Sequence, residues 1–409
     1  MVDQGVSGLS NVLVSVFVAR SLSESEFGAF SVAAIVAMLT MGVSRALIGE
    51  PLLSRFSAVA AEVRARLVPD MLGAALAVSV VVAAVVAVVG AALGGEAGTA
   101  LLALALVLPL IVVQDTWRYA FIVDRPAAAL VVDVVWLAGV CVALPLAPGG
   151  AEAAWYVAAW GLAAGAGAVA GQVLGRAAVS SVPHPWRWLR DNREMGVRFL
   201  GEFVTGQSVG QFVVLGVGAI AGLGTLGAVR AAQTFFGPIN TIHAGIFLAL
   251  VPEGAQVRDE PHRLRRLMVA ASGLLVAVAA VWTVVGLALP TRWGTELFGQ
   301  SWAGAADLLG PLGLGMMAGS VATGGYAGLR ALGAARASLR ARLETAPPQL
   351  VLPLAGTAVA DGGGYVVGFG LAHAASAAIY WTEFLRALHG APTEHGPVDE
   401  PVRVPATSV

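Results

Sequence analysis

Apolar residues in this chain gather into long runs, and the polar residues are confined to the short breaks between them. Most runs approach the ~20 residues that an α-helix needs to cross a hydrocarbon core. About twelve spans are predicted: Gly5 to Val18, Phe27 to Leu53, Met71 to Leu93, Gly98 to Val113, Pro126 to Leu146, Ala154 to Leu174, Gly196 to Leu223, Leu226 to Val251, Met268 to Leu289, Ala303 to Leu329, Ala346 to Ala360 and Tyr365 to Phe384. Between the last two, Gly362-Gly363-Gly364 reads either as a loop joining two helices or as a flexible point within one.

The arginines test this count. Positive charge is retained on the cytoplasmic side of a membrane protein. The breaks after spans two, four, six, eight and ten carry Arg55, Arg64 and Arg66; Arg118 and Arg125; Arg176, Arg187, Arg190 and Arg193; Arg258, Arg263, Arg265 and Arg266; and Arg330, Arg336, Arg340 and Arg342. The alternate breaks hold Arg20, Arg230 and Arg292. This predicts an even number of spans in the cell membrane, with both termini cytoplasmic.

Composition agrees with a chain that has lipid as its solvent. Hydrophobic residues are 57% of the sequence and charged residues 12%, against about 45–50% and about 25% in soluble domains, which excludes a soluble enzyme or a nucleic-acid-binding domain. The net charge of -1 conceals acids and bases segregated along the chain. All the strongly basic residues are Arg. The lone Cys141 lies in an apolar run, where it reads as packing filler. Met1-Val2-Asp3-Gln4 offers an acid where a cleavable signal needs a basic region, so the first run is expected to stay as a helix. The segment 387–409 turns polar and is expected to be a disordered cytoplasmic tail.

The outward loops, such as Gly94-Gly95-Glu96-Ala97 and Ala147-Pro148-Gly149-Gly150, are too short for a folded domain, so function is expected between the helices. No Walker A pattern, nucleophile elbow or zinc-type His pair is present, and no cofactor is expected. Gly161 to Gly171 lies within a span and suits close helix packing. The break at 176–195 contains Trp186-Arg187-Trp188-Leu189-Arg190, a pattern that suits an amphipathic helix at the membrane surface better than a nucleic-acid contact.

That break divides the chain into residues 1–175 and 196–386, each with six spans. A shift of 199 residues lays Glu202 on Asp3 and Leu226-Gly227-Ala228 on Phe27-Gly28-Ala29. Six is even, so both halves would have the same orientation. The fold class expected is therefore an all-α integral membrane protein with two six-helix lobes, related by a pseudo-two-fold axis along the membrane normal.

A charge in the middle of a membrane helix costs ~2.5–3.5 kcal/mol on insertion scales, so it usually meets a partner or a watery cavity. Arg45 and Glu50 lie in span two, Asp133 in span five, Glu202 in span seven and His243 in span eight, with Asp307 near the start of span ten. Asp115 and Arg118, three residues apart, are placed to pair on one helix face. Arg45 carries a fork of donors suited to phosphate. Gln207, Ser208 and Gln211, with Gln233, Thr234 and Asn240, are candidates to line the same cavity from the second half. Each has a structural alternative: Asp115, Arg118 and Glu50 can simply pair near the interface, His243 can be a hydrogen-bonded packing residue, and Asp307 can sit among headgroups.

Several motifs, in this order and spacing, resemble the polysaccharide and lipid-linked oligosaccharide flippases of the group that also includes multidrug and toxic-compound extrusion transporters. They are Asp3-Gln4-Gly5-Val6, Val18-Ala19-Arg20-Ser21-Leu22, Glu26-Phe27-Gly28-Ala29-Phe30, Arg45-Ala46-Leu47-Ile48-Gly49-Glu50-Pro51-Leu52, Gln114-Asp115-Thr116-Trp117-Arg118-Tyr119 and Leu297-Phe298-Gly299-Gln300-Ser301-Trp302. The resemblance implies two lobes around a cavity that opens alternately to each side. It also implies cationic groups, Arg45 first and then Arg118 and Arg230, that hold the pyrophosphate of an undecaprenyl-linked sugar. The implied partners are the lipid-linked glycan, membrane lipids, a coupling ion, and the glycosyltransferases and polymerase of polysaccharide assembly. The drug-extrusion branch leans instead on protonatable acids, for which Asp133 and Glu202 are candidates, Asp3 being too shallow. Intramembrane Arg is sparse for a phosphate-handling site. A cation-coupled exporter and a membrane-embedded glycosyltransferase are the alternative functions, the latter poorly served by the minimal outward loops.

Overall fold

The computed structural model describes residues 14–56, 61–175, 184–206 and 208–390, and these are helices joined by short turns, with no strand among them. Helix α1 occupies 14–21; α2 is Glu24–Phe56; α3, Ala61–Leu93; α4, Gly95–Ile122; α5, Pro126–Ala143; and α6, Ala153–Leu174. After the short α7 (Pro185–Asp191) come α8 (Arg193–Gly206), α9 (Ser208–Phe235), α10 (Gly237–Gln256), α11 (Pro261–Leu287), α12 (Thr291–Phe298), α13 (Ser301–Ala331) and α14 (Ala335–Gly390). Most of the first predicted span and Gln207 lie outside the described residues, as does 391–409 of the predicted tail; residues 387–390 continue α14 as helix.

Among the described residues, nine helices are long and apolar enough to cross a membrane. Two of the nine contain residues with non-helical backbone angles. The backbone of α9 leaves helical geometry at Gly222, whose φ of 85° glycine adopts without steric cost. That of α14 breaks at Ala360 and Asp361, the latter at φ 48°. The pairings across this second break are those of an antiparallel hairpin: Gln349 Nε2 donates to Ser376 Oγ (3.1 Å), the Thr345 and Tyr380 hydroxyls are 3.3 Å apart, and a Cβ on Gly368 would strike the Leu352 carbonyl. The arms 335–359 and 362–390 are thus two helices lying side by side, which resolves the ambiguity of the glycine triplet.

Side chains sort as lipid demands. Leu106, Val88 and Val359 point outward, while Ala, Gly and Ser fill the helix contacts. Cys141 is exposed on α5 and so is not the buried filler that its apolar run suggests. With no hydrophobic drive between helices in lipid, association rests on close van der Waals approach through small residues. Helix α6 uses Gly161, Gly167 and Gly171 in this way against Val107, Gln114 and Trp117 of α4, as the sequence predicts.

At the N-terminal end of α2, Ser23 accepts the Glu26 N–H as a helix cap (3.2 Å). Glu26 then reaches across to accept the Ala153 N–H (2.6 Å), in the otherwise uncapped first turn of α6. The short Ser-Glu-Ser-Glu run therefore fastens several helices at one end.

The halves before and after the linker meet where α2 packs on α9. There a Cβ on Gly28 would collide with the Leu223 carbonyl, and one on Gly227 with the Glu24 carbonyl. Gly28 and Gly227 are the two glycines that the 199-residue shift superposes, and the same shift carries Glu24 onto Leu223. One contact is therefore made twice, with the roles exchanged, as across a two-fold axis. Cysteines at Asp361 and at Gly333 or His389, in a Cys141→Ser background, are expected to label from opposite faces of the membrane with an impermeant thiol reagent. Labelling of all three from one face would disprove the hairpin.

Candidate functional site

The sequence-predicted site residues fall into two groups rather than one. The first is built on α2, α4 and α5. Helix α2 is interrupted by a π-helical turn over Arg45–Gly49, in which the Glu50 N–H reaches back five residues to the Arg45 carbonyl. Such widened turns re-aim side chains and are frequent at functional sites. Pro51 follows immediately. It has no N–H to offer the Leu47 carbonyl, and the indole of Trp188, buried beneath linker helix α7, donates there instead (3.4 Å). Gly49 in the same turn lets the Tyr119 ring lie directly against the helix.

The π turn sends Arg45 to Asp115: Nε donates to Oδ2 (2.8 Å) and Nη2 to Oδ1 (2.7 Å), a bidentate pair. Arg118 approaches the same carboxylate (3.5 Å), the i,i+3 pairing expected from the sequence, and its Nη1 is 4.0 Å from Asp133. Asp133 also accepts from Gln114 Nε2 (3.1 Å). Both guanidinium groups lie near the Tyr119 ring, at 5.7 and 5.6 Å. The result is a compact set of two cations and two anions with no net charge. The Asp115 side chain is 7% exposed and that of Arg45 37%, so the cluster is sealed on the acid side and open on the Arg45 side, where Nη1 makes no hydrogen bond among the described residues. Glu50 stands half-buried beside the turn, within electrostatic reach of Tyr119, and does not join the ion pairs.

The second group lines a cavity of about 510 Å³ between the halves. Ser15 and Met38 line it from the first half; Gln211, Arg230, Gln233, Thr234, Asn240 and His243 do so from the second, with Thr323 of α13 and Phe369 and His373 of α14. Arg230 Nη1 donates to Gln233 Oε1 (3.1 Å), and Gln233 Nε2 to the Tyr365 hydroxyl (2.7 Å). Among the described residues Arg230 has no carboxylate in ion-pair range, and its Nε and the Gln211 Oε1 are buried without a hydrogen-bond partner. A buried cation with unspent donors and no anion among the described residues has the chemistry to accept an external anion. Gln211, Gln233 and Asn240 provide neutral amide groups around it.

Glu202 is exposed on α8 and Asp307 on α13, and neither lines the cavity; Gln207 lies outside the described residues. His243 is hydrogen-bonded to Ser320 (3.0 Å) as a packing histidine would be, yet it also lines the cavity. His373 and Tyr365 escaped the sequence reading. The available signal was a lone histidine and, eight residues before it, one of the two tyrosines of the last apolar span, with no local pattern relating either to Arg230.

No protein-family model matches the chain, and no curated protein matches it in sequence. Solved structures do match. One is an inward-facing multidrug resistance MATE family transporter of the MOP superfamily (13% identity, 93% of this chain and 94% of that one, TM-score 0.67). Another is the lipid II flippase MurJ in an inward closed conformation (9% identity, 95% and 89%, TM-score 0.72). A third is a MOP superfamily transporter from Pyrococcus furiosus, described as having a binding pocket of reversed polarity (14% identity, 95% and 94%, TM-score 0.54). The chain has the fold of these transporters over almost its whole length.

The balanced cluster makes an asymmetric prediction about stability. Asp115→Ala leaves two guanidinium groups sharing one acid and is expected to cost about 3–5 kcal/mol. Arg45→Ala should cost less, because its head already meets solvent. Replacing both, as Arg45→Met with Asp115→Leu, should recover most of the loss. Thermal unfolding of the purified protein in lipid nanodiscs measures all three, and equal losses from the two single variants would contradict the assignment.

Proposed function

We propose that this protein is a membrane transporter that flips a lipid-linked oligosaccharide, carried on undecaprenyl pyrophosphate, across the cytoplasmic membrane for cell-surface polysaccharide biosynthesis. The observation that carries the reading is Arg230: a cation with no acid partner among the described residues, in the wall of a cavity between the halves. A pyrophosphate supplies the missing anion, and the neighbouring amides supply further donors. Arg45 retains one free edge and serves as the second contact rather than the first, since Asp115 holds the rest of its fork.

In this reading, residues 1–175 and 196–386 are two six-helix lobes, joined by the linker 176–195 and followed by a tail from about residue 387. They rock about the α2–α9 seam by alternating access, with both termini cytoplasmic. The reciprocal Gly28 and Gly227 contacts and the backbone breaks at Gly222 and Ala360-Asp361 support this division. The glycosyltransferases and polymerase of polysaccharide assembly act before and after the flip. Transport is driven by an ion gradient, the membrane potential or consumption of the flipped glycan. Export of cationic drugs through an acid is less well supported: Asp133 is engaged by Gln114 and Arg118, and no carboxylate is among the described residues that line the cavity.

In cells where this protein is the sole flippase for its glycan, Arg230→Gln is expected to reduce surface polysaccharide by at least about tenfold at equal protein abundance, the scale of one lost charge-assisted hydrogen bond. Arg230→Lys should retain part of it, and Arg45→Ala should lose less than Arg230→Gln. Full export by Arg230→Gln would refute the assignment.

A further inference from the structure

Besides Arg230, two titratable side chains line the same cavity: His243 on α10 and His373 on the second arm of α14. Their hydrogen bonds determine where each can take a proton. Ser320 donates its single hydroxyl proton to the Met316 carbonyl (2.8 Å), so toward His243 it is an acceptor. The His243 Nε2, 3.0 Å away, must then be the donor, which leaves Nδ1 as the unprotonated nitrogen. His373 uses the other tautomer: its Nδ1 donates to the Phe369 carbonyl (2.9 Å), leaving Nε2 unprotonated. Neither free nitrogen has a protein donor, and neither is among the sealed, unpartnered polar atoms of the described residues.

Apart from Arg230, the described residues that line the cavity carry no fixed charge. Arg230 comes from α9, and the Tyr365 hydroxyl on α14 is occupied by Gln233. The cavity-lining residues of α13 (Leu312, Met316, Gly319 and Thr323) are uncharged, as are Ser15 and Met38 from the first half. With no acid among the described residues that line the cavity, an added proton has no fixed counter-charge in that part of the wall. An anion held at Arg230 would supply one.

We infer that His243 and His373 are proton-binding sites of this cavity, and that an anionic ligand at Arg230 and protons on these imidazoles bind together. This rests on the reading of the cavity as an anion site and adds a coupling ion to it. Linkage makes the effect reciprocal: protonation tightens the anion, and the anion draws protons onto the histidines. An imidazole gains its positive charge in acid and loses it as pH rises.

The test is equilibrium binding of radiolabelled inorganic pyrophosphate to the full-length purified protein at about pH 5.5 and about pH 7.5, on either side of the histidine range. Wild-type protein should bind at least about tenfold more tightly at the acidic pH. Pyrophosphate itself loses charge on acidification, which would change affinity in the opposite direction, so the sign identifies the protein as the source. His243→Gln and His373→Gln should each shrink the pH difference, the double variant should abolish it, and Arg230→Gln should weaken binding at both pH values. Wild-type binding that is equal at the two pH values, or tighter in alkali, overturns proton coupling and leaves the anion site standing; this arm needs no variant to fold. A double variant that keeps the full pH difference also overturns it. Absence of pyrophosphate binding at either pH overturns both the coupling and the anion site.

Discussion

The approach of α2 and α9 to backbone contact, at Gly28 against Leu223 and Gly227 against Glu24, is the constraint on which the arrangement of the two halves depends. Lipid offers no hydrophobic reward for bringing helices together, so close packing has to be obtained from shape. Any side chain at either glycine would force the halves apart. The cavity that contains Arg230 lies between these halves, and its walls are set by how closely they meet. The closest approach is made of backbone, and among the described residues the first half enters the cavity lining through Ser15 and Met38.

Charge is distributed unevenly across this frame. In the first half, burial of Asp115 and Asp133 is offset by Arg45, Arg118 and Gln114, giving a neutral knot around a π turn. The turn also touches the linker, because Pro51 frees the Leu47 carbonyl for Trp188. A rearrangement of α7 would therefore be felt at the base of Arg45. In the second half, the hydrogen-bonded network of Arg230 among the described residues consists of the Gln233 amide and, beyond it, the Tyr365 hydroxyl, with no acid. Insertion of an unpaired guanidinium costs several kcal/mol, a cost that packing alone gives no reason to bear.

Much of the fold was legible in one dimension. Apolar runs separated by arginine-bearing breaks are long-range features that no tertiary contact can rewrite, since the bilayer sets both the length of a span and the side on which positive charge stays. The glycines at 28 and 227 were visible as a repeat. Partnerships between charges were legible only where they were local. Asp115 and Arg118 could be paired from their spacing, whereas the pairing of Arg45 with Asp115 joins residues 70 positions apart. His373 was invisible as a site residue because its relation to Arg230 and His243 exists only once α9, α10 and α14 surround the same space.

The sequence by itself determined that this chain is helical and membrane-bound, where its apolar spans fall, and that a few ionisable groups must lie at membrane depth. The tertiary structure alone decided which of those charges cancel and which remains open. That division has a physical cause. Solvation by lipid acts on every residue according to its own chemistry and depth, so it can be read along the chain, whereas the fate of a buried charge depends on what lies within a few ångströms of it, and those neighbours are brought there by packing from distant parts of the sequence.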